Sequence, residues 1–299
     1  MASVQDIGRR IRSVRNTRKI TKAMELVASA RLRRAQSRIE AMRPYADRML
    51  ELMAGVARAS TSVRGIPLLQ RRDVQRVAIL TLTGDRGLAG AFNGQVLRRA
   101  FALERQLGGE GLDVRWLVSG KKGRSTLSFR RYDITTAWTG FSDRPAYADA
   151  QAIAHRLAEL YTEGEIDRAV LVYNQFVSPL VQRVVDQEVL PVAEDIFERE
   201  REGDHEDVVL QGDFIYEPEP EQILARLVPV YLETEIYRAL LESAASEQGA
   251  RMTAMRNASK NAGDLIDRLT LEMNRARQAE ITQEILEVVA GADALGAGA

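Results

Sequence analysis

Along the first part of the chain, Val4, Ile7, Ile11, Val14, Ala28, Leu32, Ala35, Ile39, Met42, Ala46, Met49, Met53 and Val56 form a periodic series, completed by Arg18, Thr21 and Glu25. The steps alternate three and four without a break, which is the heptad seam of a helix packed along one partner helix. Polar members of a seam cost stability and set its register. Pro44 removes a helical hydrogen bond and predicts a kink. A second seam, Met252, Met255, Ala258, Ala262, Leu265, Leu269, Met273 and Ala276, lies near the other end. Pro218 and Pro220 suit a first helical turn, and helix signals persist from there to about Ala290, with a bend expected at Pro229. Some seventy helical residues at 1.5 Å each extend on the order of 100 Å. Between residues 244 and 250 the face is small or polar and includes Gly249, so the seam is expected to be loosest there.

The texture between the seams is different. Residues 60 to 74 carry loop chemistry in Ser60, Thr61, Ser62, Gly65 and Pro67. Val77 to Thr83 is a continuous apolar run rich in β-formers, a strand buried on both faces. A turn from Gly84 to Gly90, a helix from about Ala91 to Leu107 and a strand Val114–Val118 follow. A short helix is expected near 121 to 130, and a strand over Tyr132–Ala137. Then come a helix Ala146–Thr162 and strands over Ala169–Tyr173 and Phe176–Val189. Strands alternating with helices imply a mostly parallel sheet. The stretch from 198 to 207 is densely charged and expected to be a mobile connector. Two long seams need each other. The predicted fold is therefore α/β, a long antiparallel coiled coil of N- and C-terminal helices with an inserted Rossmann-like α/β domain. The boundaries are 1–60, 75–210 and 217–290. A narrow stripe argues against a large helical bundle, whose helices carry wider apolar faces.

Composition narrows the chemistry. Cysteine is absent, which excludes disulfides and thiolate metal sites. The two histidines, His155 and His205, have no ligand spacing and read as surface or capping residues. No apolar run approaches the roughly 18 residues that span a membrane. The Arg-rich start mimics a transit peptide, but Asp6 intrudes and the periodicity runs straight on, so it reads as mature structure. Net charge is zero yet unevenly spread. Residues 1–45 hold twelve Lys or Arg against three acids, and residues 186–222 hold fourteen Asp or Glu against Arg199 and Arg201. A basic arm meeting an acidic partner is the implication.

The motifs that touch on catalysis are weak. Gly84-Asp-Arg-Gly-Leu-Ala-Gly90 stands where a phosphate cradle would, but is neither GxGxxG nor a P-loop, and a tight βα turn is the favoured reading. Gly120-Lys-Lys-Gly-Arg-Ser-Thr126 fails the P-loop spacing at Val118 and Arg124 and reads as a solvated basic loop. Arg9, Arg10, Arg12, Arg15, Arg18, Lys19 and Lys22 ring the first helix. A nucleic-acid arm of this kind lacks aromatic interleaving, and a basic shaft inside an acidic protein collar fits at least as well. No cofactor is expected.

Ile11 to Ala28, Arg33-Arg-Ala-Gln36, Arg251 to Ala258, Asn261 to Ile266, Asn274 to Ala279, Ile281 to Glu287 and Gly291-Ala292 resemble the gamma subunit of F-type ATP synthases. Asp85 to Asn93 and Tyr173-Asn-Gln-Phe176 are compatible with it, so the resemblance covers essentially the whole chain. It implies a non-catalytic rotary stalk. Its partners would be a ring of three alpha and three beta subunits, an epsilon subunit and a c-subunit ring, with no nucleic acid. The contact positions it implies are Met24, near a catch loop on beta, and Arg277, Gln278, Thr282 and Glu284. Arg9, Arg10, Lys19 and Lys22 of the basic helix would face the same collar. Ala89 stands where the family often has cysteine. The lack of a cysteine-bearing insert argues against the redox-regulated plastid type, and the lack of a leader argues for a bacterial protein. Placement at the cytoplasmic face of the cell membrane follows. The alternatives are a basic coiled-coil nucleic-acid binder and a nucleotide-binding α/β enzyme using the Gly84 turn.

Overall fold

The computed structural model describes residues 3–60, 65–192 and 217–296. The charged stretch 198–207, His205 and part of the loop after the first helix lie outside them. The elements are α1 Val4–Ala59, β1 Arg76–Leu82, α2 Phe92–Gly109, β2 Asp113–Ser119, α3 Lys121–Phe129, β3 Ile134–Trp138, α4 Tyr147–Thr162, β4 Arg168–Phe176, β5 Gln182–Leu190 and α5 Pro220–Gly296. Helix α1 continues through Pro44 and α5 through Pro229. The chain divides into two units, one of residues 1–28 with 252–299 and one of residues 29–251.

In the larger unit the sheet runs β3-β2-β1-β4-β5. The first four strands in that order are mutually parallel, and β5 returns antiparallel along β4. Alternation along β1 explains the continuous apolar run. Val77 and Ile79 face one side, with Trp116, Val118, Val170 and Val172, under Val96, Ala100, Leu103 and Leu107 of α2 and Leu127 of α3. Ala78, Leu80 and Leu82 face the other side, with Leu117, Leu171 and Tyr173. That side is covered by Ile153, Leu157 and Leu160 of α4, Met49, Met53 and Val56 of α1, and Leu224, Val228, Leu232 and Ile236 of α5. Each fully buried aliphatic side chain contributes about 1.5–3 kcal/mol. Within this unit the two long helices run antiparallel, and Ser60 Oγ reaches Glu221 Oε1 at 2.9 Å.

The expectation of a loose seam between 244 and 250 is overturned. Ala244, Ala245, Ser246, Glu247, Gln248 and Gly249 are all buried. Their small size serves close approach to the sheet rather than weak pairing. A Cβ at Gly249 would stand 3.1 Å from Pro179 O, and Ser246 Oγ donates to Asn174 O at 3.0 Å. The basic stretch after Gly120 is likewise not a loop but the first turns of α3. Gly120 has φ +101°, and a Cβ there would lie 2.0 Å from Thr83 O.

Gly120→Ala combines a forbidden backbone region with that collision, so it should cost about 3 kcal/mol or more. Gly94→Ala, in α2 with nothing within 4 Å of the added methyl, should instead gain about 0.5 kcal/mol. Urea unfolding of the two variants beside the parent chain checks both signs.

Candidate partner-binding surface

The smaller unit is a helix pair. Ile7 and Ile11 of α1 pack with Ile266 and Leu269 of α5, flanked by Val14, Leu265, Met273 and Ala276. Farther along α1, Glu25 reaches Arg256 on α5, so the two helices run antiparallel. Fifteen of the sixteen predicted seam positions of α1 are buried or half-buried along the whole helix, and Arg18 alone is exposed. The polar members each have a physical role. The Arg18 guanidinium carbon lies 3.6 Å from where a Cβ of Gly263 would stand, so the glycine makes room for it. Thr21 is buried and its hydroxyl donates to Arg18 O at 3.1 Å. Glu25, 7% exposed, accepts Lys22 Nζ at 3.0 Å and Arg256 Nε at 3.2 Å. The hydrogen bond from Lys22, aided by the one from Arg256, holds the Glu25 carboxyl below the usual glutamate range.

The residues singled out from sequence stand on the outside of this pair. Arg9, Arg10, Lys19 and Lys22 are exposed, and Met24 is half-buried. Arg9 pairs with Asp6, and Lys22 with Glu25. Arg277, Gln278, Thr282 and Glu284 are exposed as well, with the Thr282 hydroxyl donating to Gln278 O at 2.9 Å. Sequence reasoning passed over their neighbours. From Arg277 to Ala290 every residue is exposed, and Ile281, Ile285, Leu286, Val288 and Val289 are among them at 47% to 72%. These five form no part of the buried seam, and their apolar spacing past Ala276 was the available signal. Several large apolar side chains exposed within one short helical segment mark a candidate interaction surface.

In the larger unit the Gly84–Gly90 turn is filled from within. Gly84 N donates to Asn93 Oδ1 at 2.7 Å, and the Glu247 carboxylate packs on the Gly84 Cα, 2.9 Å from where a Cβ would be. Burial pushes the Glu247 carboxyl above the usual glutamate range, against the pull of Arg251. The Glu247 side chain occupies the space beside Gly84 that a phosphate would need. His155 is exposed on α4, its Nε2 3.1 Å from Glu233 Oε1. Among the described residues no group of three His, Asp or Glu side chains is arranged to hold a metal ion, and no helix is long and apolar enough to cross a membrane.

A family model described as ATP synthase matches residues 3–295. An ATP synthase gamma chain from Rubrobacter xylanophilus is 48% identical over 298 residues, with 100% of both chains covered. The chain belongs to the ATP synthase gamma-chain family. A gamma chain from a Synechococcus species is 44% identical over 314 residues, covering 99% of each. Among solved structures, a chain in the central stalk and c-ring of Tetrahymena thermophila mitochondrial ATP synthase superposes with TM-score 0.57 at 29% identity, over 80% of this chain and 99% of that one. A chain of the Euglena gracilis mitochondrial enzyme (OSCP, F1 and c-ring) shares the fold, with TM-score 0.69 at 18% identity over 99% of this chain and 95% of that one. Membership of the gamma-chain family makes this chain a central-stalk subunit of an F-type ATP synthase and a component of the ATPase complex.

Glu25 supplies a pH test of the helix pair. Its folded-state pKa lies below the ordinary 4.5. The stability it contributes is therefore fully present above pH 4.5 and lost as pH falls through the lower folded value. Glu25→Gln should weaken the helical signal against urea by no more than about 1 kcal/mol at pH 7. Parent and variant should converge at acid pH, as checked by circular dichroism across the range.

Proposed function

We propose that this gamma chain is the rotating shaft that couples ion flow through a membrane sector to ATP synthesis and hydrolysis at the beta-subunit sites, without catalytic residues of its own. One observation carries the reading: the helical segment Arg277–Ala290 exposes polar and apolar side chains alike, a surface suited to a surrounding collar. The partners are the alpha and beta subunits in a three-plus-three ring, an epsilon subunit and the c-subunit ring. The contact set toward the ring is Met24, Arg9, Arg10, Lys19, Lys22, Arg277, Gln278, Thr282 and Glu284. Residues 1–60 and 217–290 act as the shaft, and residues 75–210 as the globular foot. The chain sits at the cytoplasmic face of the membrane through the complex. Nucleic acid is not a partner, and the basic side chains of α1 serve the acidic collar instead.

The mechanism is population control. A shaft with unlike faces contacts each beta subunit differently at each angle, so each angle favours a different beta conformation. Rotation then carries every site through binding, synthesis and release. Charged and amide side chains interspersed among the apolar ones allow contact without a permanent apolar lock. The nucleotide-enzyme alternative is disfavoured by the Glu247 carboxylate seated on the Gly84 turn.

Co-expression with the alpha and beta subunits, with a tag on this chain alone, tests the reading by native mass spectrometry. One copy with three of each partner, and steady ATP hydrolysis, supports it. Recovery of the chain alone or with nucleic acid contradicts it. Within that complex, Arg277→Ala with Gln278→Ala should lower hydrolysis by about tenfold, equivalent to ~1.4 kcal/mol of barrier. The same pair should leave unfolding of the isolated chain within about 0.5 kcal/mol, because neither side chain is buried.

A further inference from the structure

The Gly84–Gly90 turn, which holds no ligand-binding signature, anchors an ionic cluster. Asp85 follows β1. Its carboxylate accepts the backbone N–H of Lys121 at 3.0 Å, of Gly140 at 2.9 Å and of Ser142 at 3.1 Å. Its own N–H donates to Ser142 Oγ at 2.8 Å. One side chain thus ties together the loops that follow β1, β2 and β3. The next residue along, Asp143, is held by that loop and meets both long helices. It accepts Arg31 Nη1 of α1 at 2.9 Å and Gln248 Nε2 of α5 at 3.0 Å. Arg86 Nη1 stands 3.5 Å away and Arg251 Nη1 3.8 Å away. Arg251, 7% exposed, also donates to Glu247 Oε1 at 2.5 Å and to Gly87 O at 3.3 Å.

The place of this cluster along the chain gives it a mechanical meaning. The larger unit comprises Ser29–Arg251. Arg31 on α1 and Arg251 on α5 both belong to it, so the Asp143 loop is bonded to both long helices within one unit. Apolar packing is non-directional and resists separation better than sliding. Charge-assisted hydrogen bonds are directional and fix a geometry. A rotating shaft needs the second kind of contact where it meets its foot.

We propose that Asp143, positioned by Asp85, is the joint through which torque passes between the globular unit and the two long helices. The proposal rests on the shaft reading and makes Asp143, Arg31 and Arg251 positioning residues for coupling. They have no part in hydrolysis at the beta sites. Losing one charge-assisted bond weakens this joint by roughly tenfold.

The test uses the assembled synthase in inverted membrane vesicles carrying Asp143→Asn, Arg31→Ala or Arg31→Lys. ATP hydrolysis is measured beside ATP-driven membrane potential, read with a potential-sensitive dye that is indifferent to the coupling ion. For Asp143→Asn and Arg31→Ala, hydrolysis should stay within about twofold of the parent enzyme, while charge moved per ATP falls below about half. Arg31→Lys, which keeps the charge, should retain coupling. If charge moved per ATP is unchanged in both loss variants, or if hydrolysis and translocation fall in step, the joint is overturned. Should Asp143→Asn fail to assemble, Arg31→Ala decides, since its side chain is 42% exposed and its loss leaves the sheet intact. If the unaltered chain itself cannot restore hydrolysis to a complex lacking its stalk, the shaft reading fails. Normal coupling in the parent enzyme and in both loss variants sinks the joint alone.

Discussion

A parallel sheet must be covered on both faces, and here the inserted domain cannot cover its second face alone. Helices α2 and α3 close the first face. Only α4 comes from between the strands on the other. Much of the remaining cover is Met49, Met53 and Val56 of α1 with Leu224, Val228, Leu232 and Ile236 of α5, beside Ile66, Leu68 and Leu69 ahead of β1. Exposing that face would forfeit several fully buried aliphatic side chains at about 1.5–3 kcal/mol each. The globular unit and the adjoining parts of both long helices are therefore one folding unit by necessity.

The same arrangement explains the composition of α5. Its stretch 244–250 is narrow because the β4–β5 turn and the strand ends press against it, with Pro179 O close to Gly249 and Asn174 O bonded to Ser246. Glu247, Gln248 and Arg251 are buried but polar: Arg251 donates to Glu247 and Gly87, and Gln248 donates to Asp143. Buried charge is tolerated only when paired. Past Ala276 the helix sheds these internal contacts, and its exposed face is given over to the surroundings.

Much of this was legible in the sequence because it is local and periodic. The heptad steps located the α1 seam, and the alternation of strand and helix signals located the sheet. Conserving neither period, the stretch 244–250 misled. Spacing reports that one face is small but not whether a helix or a strand end lies opposite. Leu265, a predicted seam member, is half-buried against the helix-pair core, and its neighbour Ile266, which the spacing did not pick out, is buried there too. Asp143 and Glu247 carried no local signal at all. Their partners Arg31, Arg86, Gln248, Arg251 and Gly84 are distant in sequence for the most part, and one sequence does not reveal long-range pairs. The contact residues Arg277 and Gln278 came from resemblance to a family, while their exposed apolar neighbours needed the structure.

Hydrogen exchange across the isolated chain tests the shared core most directly. The amides of α5 from Leu224 to Leu240 should be as protected as those of β1 and β4, opening only with the whole unit, while those from Arg277 to Ala290 exchange early. If residues 224 to 240 exchange well before the sheet, the second face does not depend on the long helices and the foot is a separate domain.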